Sequence, residues 1–252
     1  CLLFAAKNLN IKTAYLQHAS VTTKFPKLEF DISFLDGQES FKKYGFTSKK
    51  NSRVILSGSP RYDDYFVKNK SESKMIGIAI NQFDDFEKVR ELCLFLKSNY
   101  KDYGILIRPH PNMIDWHRQW FENNNIKYCE SSKIKSLEYL KSIDFQIANV
   151  SAIHLDAVML KVNSIMFRLS KEFVEDQYGF LKNSIIAYAD NYDELKKIIN
   201  KGVKIIPKMS YFQANYNTEY KNKSAKFIAR YIENLILKRP NQINSALKYY
   251  DF

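Results

Sequence analysis

Short apolar runs alternate along the chain with longer segments whose apolar residues recur at helical spacing. Ile11–Gln17, Phe30–Leu35 and Arg53–Ser57 read as strands, and Asp36-Gly37 closes the second. Cys1–Asn8 and Glu39–Tyr44 read as helices, with Gly45 as the C-cap of the latter. The polar stretch Lys68–Lys74 reads as a linker. Beyond it, Met75–Ile80 is apolar throughout, as a strand buried on both faces requires. Phe86–Lys97 carries Val89, Leu92, Cys93 and Leu96 on one helical face. Further strands are predicted at Gly104–Ile107, Ile126–Cys129, Phe145–Val150, Ser164–Phe167 and Ser184–Tyr188. Helices are predicted at Trp116–Asn123, Ser136–Lys141, Ile153–Leu160, Tyr192–Asn200 and Lys223–Leu237, the last stopped before Pro240. Such alternation predicts an α/β chain built from βαβ units around parallel sheets, with right-handed crossovers.

Composition narrows this picture. At about 150 residues per domain, 252 residues make one domain and a fraction. An apolar share of 45% excludes a disordered chain. No apolar run approaches the roughly 20 residues of a membrane span. The three cysteines lack CxxC spacing, which argues against a zinc or redox pair and for a reducing cytoplasm. The net charge of +12 suits an anionic partner, but the lysines are scattered, as a biased composition also produces. No nucleic-acid recognition motif or basic-aromatic stripe stands out, so nucleic acid is not the expected partner. The first residue, Cys1, opens directly into a helix-like segment without a signal peptide, so further sequence is expected upstream.

In a doubly wound sheet, ligands bind outside the carboxyl ends of the strands. His18 follows the first strand, Gly58 to Asp63 the third, and Arg108 and His110 the fifth, while Ser151 and His154 follow Phe145–Val150. His117, between Trp116 and Trp120, reads as structural. Two prolines stiffen Arg108-Pro-His-Pro111, so the guanidinium and imidazole are held in set directions suited to a phosphate. Ser151 is placed to cap a helix, whose N-terminus can also bind phosphate. Asp156, in the first turns of that helix, can orient a base or simply favour the dipole. No carboxylate cluster calls for a metal, and no cofactor is implied.

These residues, in this order, resemble the bacterial surface-polysaccharide transferases of GT-B fold. The nearest pattern is that of the CDP-glycerol glycerophosphotransferase family, with related capsule and lipopolysaccharide glycosyltransferases that use CMP-sialic acid or CMP-Kdo. The matching segments are Gln17-His18-Ala19, Gly58-Ser-Pro-Arg61-Tyr-Asp63, Arg108-Pro-His110-Pro111 and Ala148-Asn149-Val150-Ser151-Ala152 with Asp156. Ala19 stands where the family has Gly, and only one of the family's serines remains, at Ser151. The resemblance implies a GT-B-like chain with a Rossmann-type parallel sheet in its C-terminal domain and an incomplete N-terminal Rossmann-like portion. Residues 1–67 would be the end of an acceptor-side domain, 75–222 the nucleotide-donor domain, and 223–252 a C-terminal helix and tail.

It further implies His18 and Asp156 as catalytic residues. Gly58, Arg61, Arg108, His110, Ser151 and His154 would bind the phosphates and nucleotide of a CMP-, CDP- or UDP-linked donor. The implied reaction transfers a glycosyl or glycerol-phosphate unit to a glycan or lipid-linked acceptor of a capsule, lipopolysaccharide or teichoic-acid type. The implied location is cytoplasmic, peripheral at the inner membrane face. Two other readings stand beside it: a non-hydrolysing nucleotide-sugar epimerase of the same fold, and a non-catalytic basic binding fragment.

Overall fold

The computed structural model describes residues 2–44, 52–64, 74–113, 115–172, 175–202, 208–241 and 249–251. The expected C-cap Gly45, Cys1 and most of the predicted linker lie outside the described residues. Two compact units make up the chain: residues 1–66 together with 207–252, and residues 67–206.

The first unit begins with α1 (Leu2–Asn8), β1 (Ala14–Leu16), β2 (Ile32–Leu35), α2 (Gln38–Lys43) and β3 (Arg53–Leu56). β2 pairs in parallel with β1 on one side and β3 on the other. Period-two alternation sends neighbouring side chains to opposite faces of this sheet. Leu35, Val54 and Leu56 join Val21, Leu28 and Tyr44 in one cluster. Phe34 and Ile55 point the other way.

The second unit contains β4 (Met75–Ile80), α3 (Phe86–Asn99), β5 (Gly104–Pro109), α4 (Arg118–Asn123), β6 (Lys127–Tyr128) and α5 (Ser136–Lys141). It continues with β7 (Phe145–Ala148), α6 (Ile153–Met159), β8 (Asn163–Phe167), β9 (Ala187–Ala189) and α7 (Tyr192–Lys201). Every pairing is parallel, in the order β6-β5-β4-β7-β8-β9. Counted within the unit, this is the 3-2-1-4-5-6 order of a Rossmann sheet, whose strand order reverses between β4 and β7. β4 is buried along its whole length. α3 lays Val89, Leu92, Cys93 and Leu96 on the sheet, the face its spacing predicts. Its first turn is capped by Asp85, which accepts from the N–H groups of Glu87 and Lys88. Burial pushes the Cys93 thiol up to about 12, so this cysteine is an inert core residue.

The chain then returns to the first unit with α8 (Met209–Phe212), α9 (Ser224–Ile236) and β10 (Tyr249–Asp251), which pairs antiparallel with β3. Residues 207–222, expected with the donor domain, and 223–252, expected as a separate helix and tail, both belong to the first unit. The physical reason is the apolar stripe of α9. Phe227, Ile228 and Tyr231 bury against Phe34 and Ile55, the sheet face that β2 and β3 leave bare. α8 and β10 are too short to show a period, so the sequence pattern predicts neither.

Candidate functional site

The turns after β4, β5, β7 and β8 enclose a pocket of about 910 Å³ in the second unit. It lies at the carboxyl ends of β4 and β7, where the strand order reverses, and its size suits a nucleotide-sized ligand. Asn81, Asp84, His110, Asn149, Ser151 and Tyr178 are among its lining residues.

The turn after β4 is self-braced. The Asn81 N–H donates to Asp84 Oδ2 (2.8 Å), and the Phe83 N–H donates to Asn81 Oδ1 (2.8 Å). Asp84 is buried, and that burial pushes its carboxyl up to about 6, against the opposing pull of the Asn81 N–H and the Asn149 amide. Asn149 Nδ2 donates to Asp84 Oδ1 (3.1 Å) and to Ser170 Oγ (3.0 Å). Ser170 Oγ in turn donates to the Glu172 carbonyl (2.7 Å). At the rim, Lys171 pairs with Asp85 (3.1 Å) and holds its carboxyl below the ordinary value.

Of the residues singled out from the sequence, His110 and Ser151 meet at this pocket. His110 is exposed, and its Nδ1 accepts from the Asn112 N–H (3.3 Å). The neutral ring therefore carries its proton on Nε2, as a donor. Ser151 Oγ accepts from the Ile153 N–H (3.4 Å). The helix N-cap is Ala152, one residue later than the sequence implied, and it makes no side-chain cap bond.

Three other expected residues turn inward instead. β5 runs through Arg108 to Pro109 rather than stopping at Ile107, so Arg108 is a strand residue and not part of a turn. Its side chain is 7% exposed. It donates to the Ile134 carbonyl (2.7 Å) and to Cys129 Sγ (3.3 Å), and its guanidinium lies 5.4 Å from the Tyr139 ring centre. Arg108 thus holds the segment after β6 and does not line the pocket.

His154 is fully buried. Its Nε2 meets the Asn149 carbonyl (2.8 Å) and its Nδ1 meets Ser164 Oγ (2.7 Å). A carbonyl can only accept, so Nε2 carries the proton and the Ser164 hydroxyl donates to Nδ1. Burial lowers its pKa to about 4, which keeps the ring neutral. Asp156 is buried on α6 and accepts from Ser136 Oγ of α5 (3.3 Å), again away from the pocket lining. Arg108 and His154, expected to bind the donor, and Asp156, expected to be catalytic, thus stand outside the lining of this pocket. The α6 segment is short and buried at every position, so polar residues on it must be satisfied internally.

The remaining expected residues lie in the first unit. His18 is exposed on a turn clamped by Gln17, whose Nε2 donates to the Ala19 carbonyl (2.8 Å) while its Oε1 accepts from the Asp36 N–H (3.0 Å). Gly58 sits at φ +75°, and a Cβ there would lie 2.4 Å from Asn215 Cγ. The Ser59 N–H donates to Gln213 Oε1 (2.8 Å). Asp63 accepts from the N–H groups of Ser224 (3.0 Å) and Ala225 (2.7 Å), capping α9. The Gly58–Asp63 segment is therefore a clasp for the returning chain, and exposed Arg61 is the member of it that faces solvent.

Sequence reasoning missed Asn81, Asp84, Asn149 and Ser170 as site residues. The rule that sites follow buried strands pointed to them, since Asn81 is the first polar residue after the all-apolar Met75–Ile80. Among the described residues, no group of three or more His, Cys, Asp or Glu side chains is placed to hold a metal. Among them, too, no helix is long and apolar enough to cross a membrane.

No protein-family model matches the chain, and no curated protein matches it by sequence. Solved structures match in shape. The wall teichoic acid polymerase TagF, as its H548A variant, superposes with a TM-score of 0.60 at 17% identity, over 91% of this chain and 69% of that one. This is the GT-B fold. A GT-B chain of TagF, the H444N variant soaked with CDPG, matches at 0.54 and 18% identity over 83% of this chain. The present chain spans 58% of that TagF chain's length. S. aureus MnaA, solved with UDP, matches at 0.57 and 14% identity, over 96% of this chain and 74% of that one. The Rossmann-type sheet of the second unit is the part of this GT-B chain that carries the switch-point pocket.

Proposed function

We propose that the second unit binds the nucleotide of an activated donor, and that the protein transfers a glycosyl or glycerol-phosphate unit from it to a bacterial surface polysaccharide. The observation that carries this reading is the pocket at the strand-order reversal, with His110 and Ser151 among its lining residues. A neutral His110 donating through Nε2 stabilises negative charge on the leaving phosphate as it develops. Lys171 adds a cation at the rim. Phe83, 69% exposed at the lip, offers an apolar face to a base. GT-B chains of similar shape were solved with CDPG and with UDP, which supports a pyrimidine nucleotide as the ligand.

In the transfer, the bond between the transferred group and the nucleotide's phosphate oxygen breaks, and an acceptor hydroxyl oxygen forms the new bond. His18, exposed on its clamped turn, is proposed as the base that takes the acceptor's proton. The acceptor is a glycan or a lipid-linked glycan at the inner membrane face, where the +12 charge favours an anionic surface. Calorimetric titration of CMP, CDP and UDP tests the donor half. At least one binds the wild type, and His110→Ala weakens it by about tenfold through the lost hydrogen bond. A wild-type protein that binds none of the three refutes the reading.

A further inference from the structure

The side chain of Asn149 is oriented by its surroundings to an unusual degree. Its residue is 4% exposed. Both protons of Nδ2 are engaged, one on Asp84 Oδ1 and one on Ser170 Oγ. Its backbone carbonyl is held by His154 Nε2. An ionised carboxylate accepts and never donates, so Asp84 fixes which end of the amide faces it. The amide oxygen is thereby turned the other way. Among the described residues nothing donates to Asn149 Oδ1, and that oxygen keeps solvent contact at the pocket wall. Asp84 is itself held, because its second oxygen receives the Asn81 N–H. The result is a carbonyl acceptor that cannot be exchanged for a donor by rotating the amide.

We propose that Asn149 Oδ1 selects the bound nucleotide by accepting a hydrogen bond from one of its N–H or O–H groups, with Asp84 and Ser170 as the positioning residues. This rests on the nucleotide reading of the pocket. The donating group is either the exocyclic amino group of the base, which cytosine carries where uracil has a carbonyl, or the ribose 2′-hydroxyl. Each source has the same chemistry toward a fixed acceptor, and ligand analogues separate them. Asp84→Asn tests the positioning directly. An asparagine there must keep an oxygen toward the Asn81 N–H, which turns its own amide N–H toward Asn149. Asn149 then flips and presents N–H to the pocket, so an acceptor wall becomes a donor wall.

The experiment titrates CMP, UMP and 2′-deoxy-CMP into wild type, Asn149→Ala and Asp84→Asn at pH 7.5. Urea unfolding of each variant confirms that it is folded at the titration temperature. Asn149→Ala weakens CMP by about tenfold, and that loss vanishes for the one analogue that lacks the donating group. Asp84→Asn lowers the preference for that donor-bearing ligand over its analogue by a similar factor. A general loosening of the pocket weakens all three ligands equally. If both variants bind every ligand as wild type does, or lose the same factor on each, the inference is overturned while the nucleotide reading stands. If wild type binds none of the three, the nucleotide reading fails first, and this inference with it.

Discussion

His154 gives the most quantitative handle on the second unit. Its imidazole is buried neutral between the Asn149 carbonyl and the Ser164 hydroxyl, with its pKa lowered from 6.5 to about 4. A depressed folded-state pKa contributes stability above the unfolded value of 6.5, and that contribution is lost as pH falls toward about 4. At about 1.4 kcal/mol per unit, lowering the pH from 7.5 to 5 removes about 2 kcal/mol. Asp84 acts in the opposite sense. Its folded pKa is raised from 3.8 to about 6, so its contribution is present below 3.8 and is lost as pH rises through about 6. Across pH 4 to 6 the two slopes oppose each other, and wild-type stability alone conceals both.

A difference measurement separates them. In His154→Gln, the glutamine amide can still donate to Asn149 but cannot titrate. Its lost Ser164 contact and poorer fit cost about 1–2 kcal/mol at pH 7.5. Asp84 is common to both proteins and cancels. The stability of wild type relative to His154→Gln should therefore fall by about 2 kcal/mol between pH 7.5 and pH 5, which closes the gap or reverses its sign. Urea unfolding followed by tryptophan fluorescence suits the test, because both tryptophans, Trp116 and Trp120, lie in the second unit. A gap that stays constant to within about 0.5 kcal/mol across that range refutes the buried neutral imidazole.

Two further outcomes follow from the same geometry. Arg108→Ala should destabilise the second unit by about 3 kcal/mol, through the lost bonds to Ile134 and Cys129 and the vacated stem volume, while leaving nucleotide affinity unchanged in the folded protein. Calorimetry showing a large affinity loss without a stability change would return Arg108 to the donor site. Gly58→Ala should cost the first unit about 2–4 kcal/mol, from a positive φ and a Cβ driven into Asn215, and a thermal unfolding temperature equal to wild type contradicts it.

The architecture was legible because burial imposes periodicity. Met75–Ile80 is continuously apolar since both faces of that strand are covered, and its predicted and observed ends coincide. The α3 face, with Cys93 on it, followed from spacing alone. The site was only half legible. His110 and Ser151, which follow strands, do line the pocket. Arg108 and His154 follow strands in sequence too, but a polar residue at a strand end can face the pocket or the core, and local spacing does not say which. Arg108 goes inward because β5 continues two residues past Ile107. Asp84, Asn149 and Ser170 come from three separate turns, and their partnership exists only after the parallel sheet has brought those turns side by side.

The return of the chain to the first unit also sets an order of assembly during synthesis. β2 and β3 leave the ribosome early, yet the residues that cover their bare face, Phe227, Ile228 and Tyr231, come after the whole second unit. The second unit, a single continuous stretch of chain over 67–206, can fold as it emerges. Phe34 and Ile55 must wait, and Gly58 to Asp63 must wait with them for Gln213, Asn215 and Ser224. Between the emergence of β3 and that of α9, the nascent chain therefore carries an exposed, half-made sheet. That interval is when a chaperone, or aggregation, would act on it.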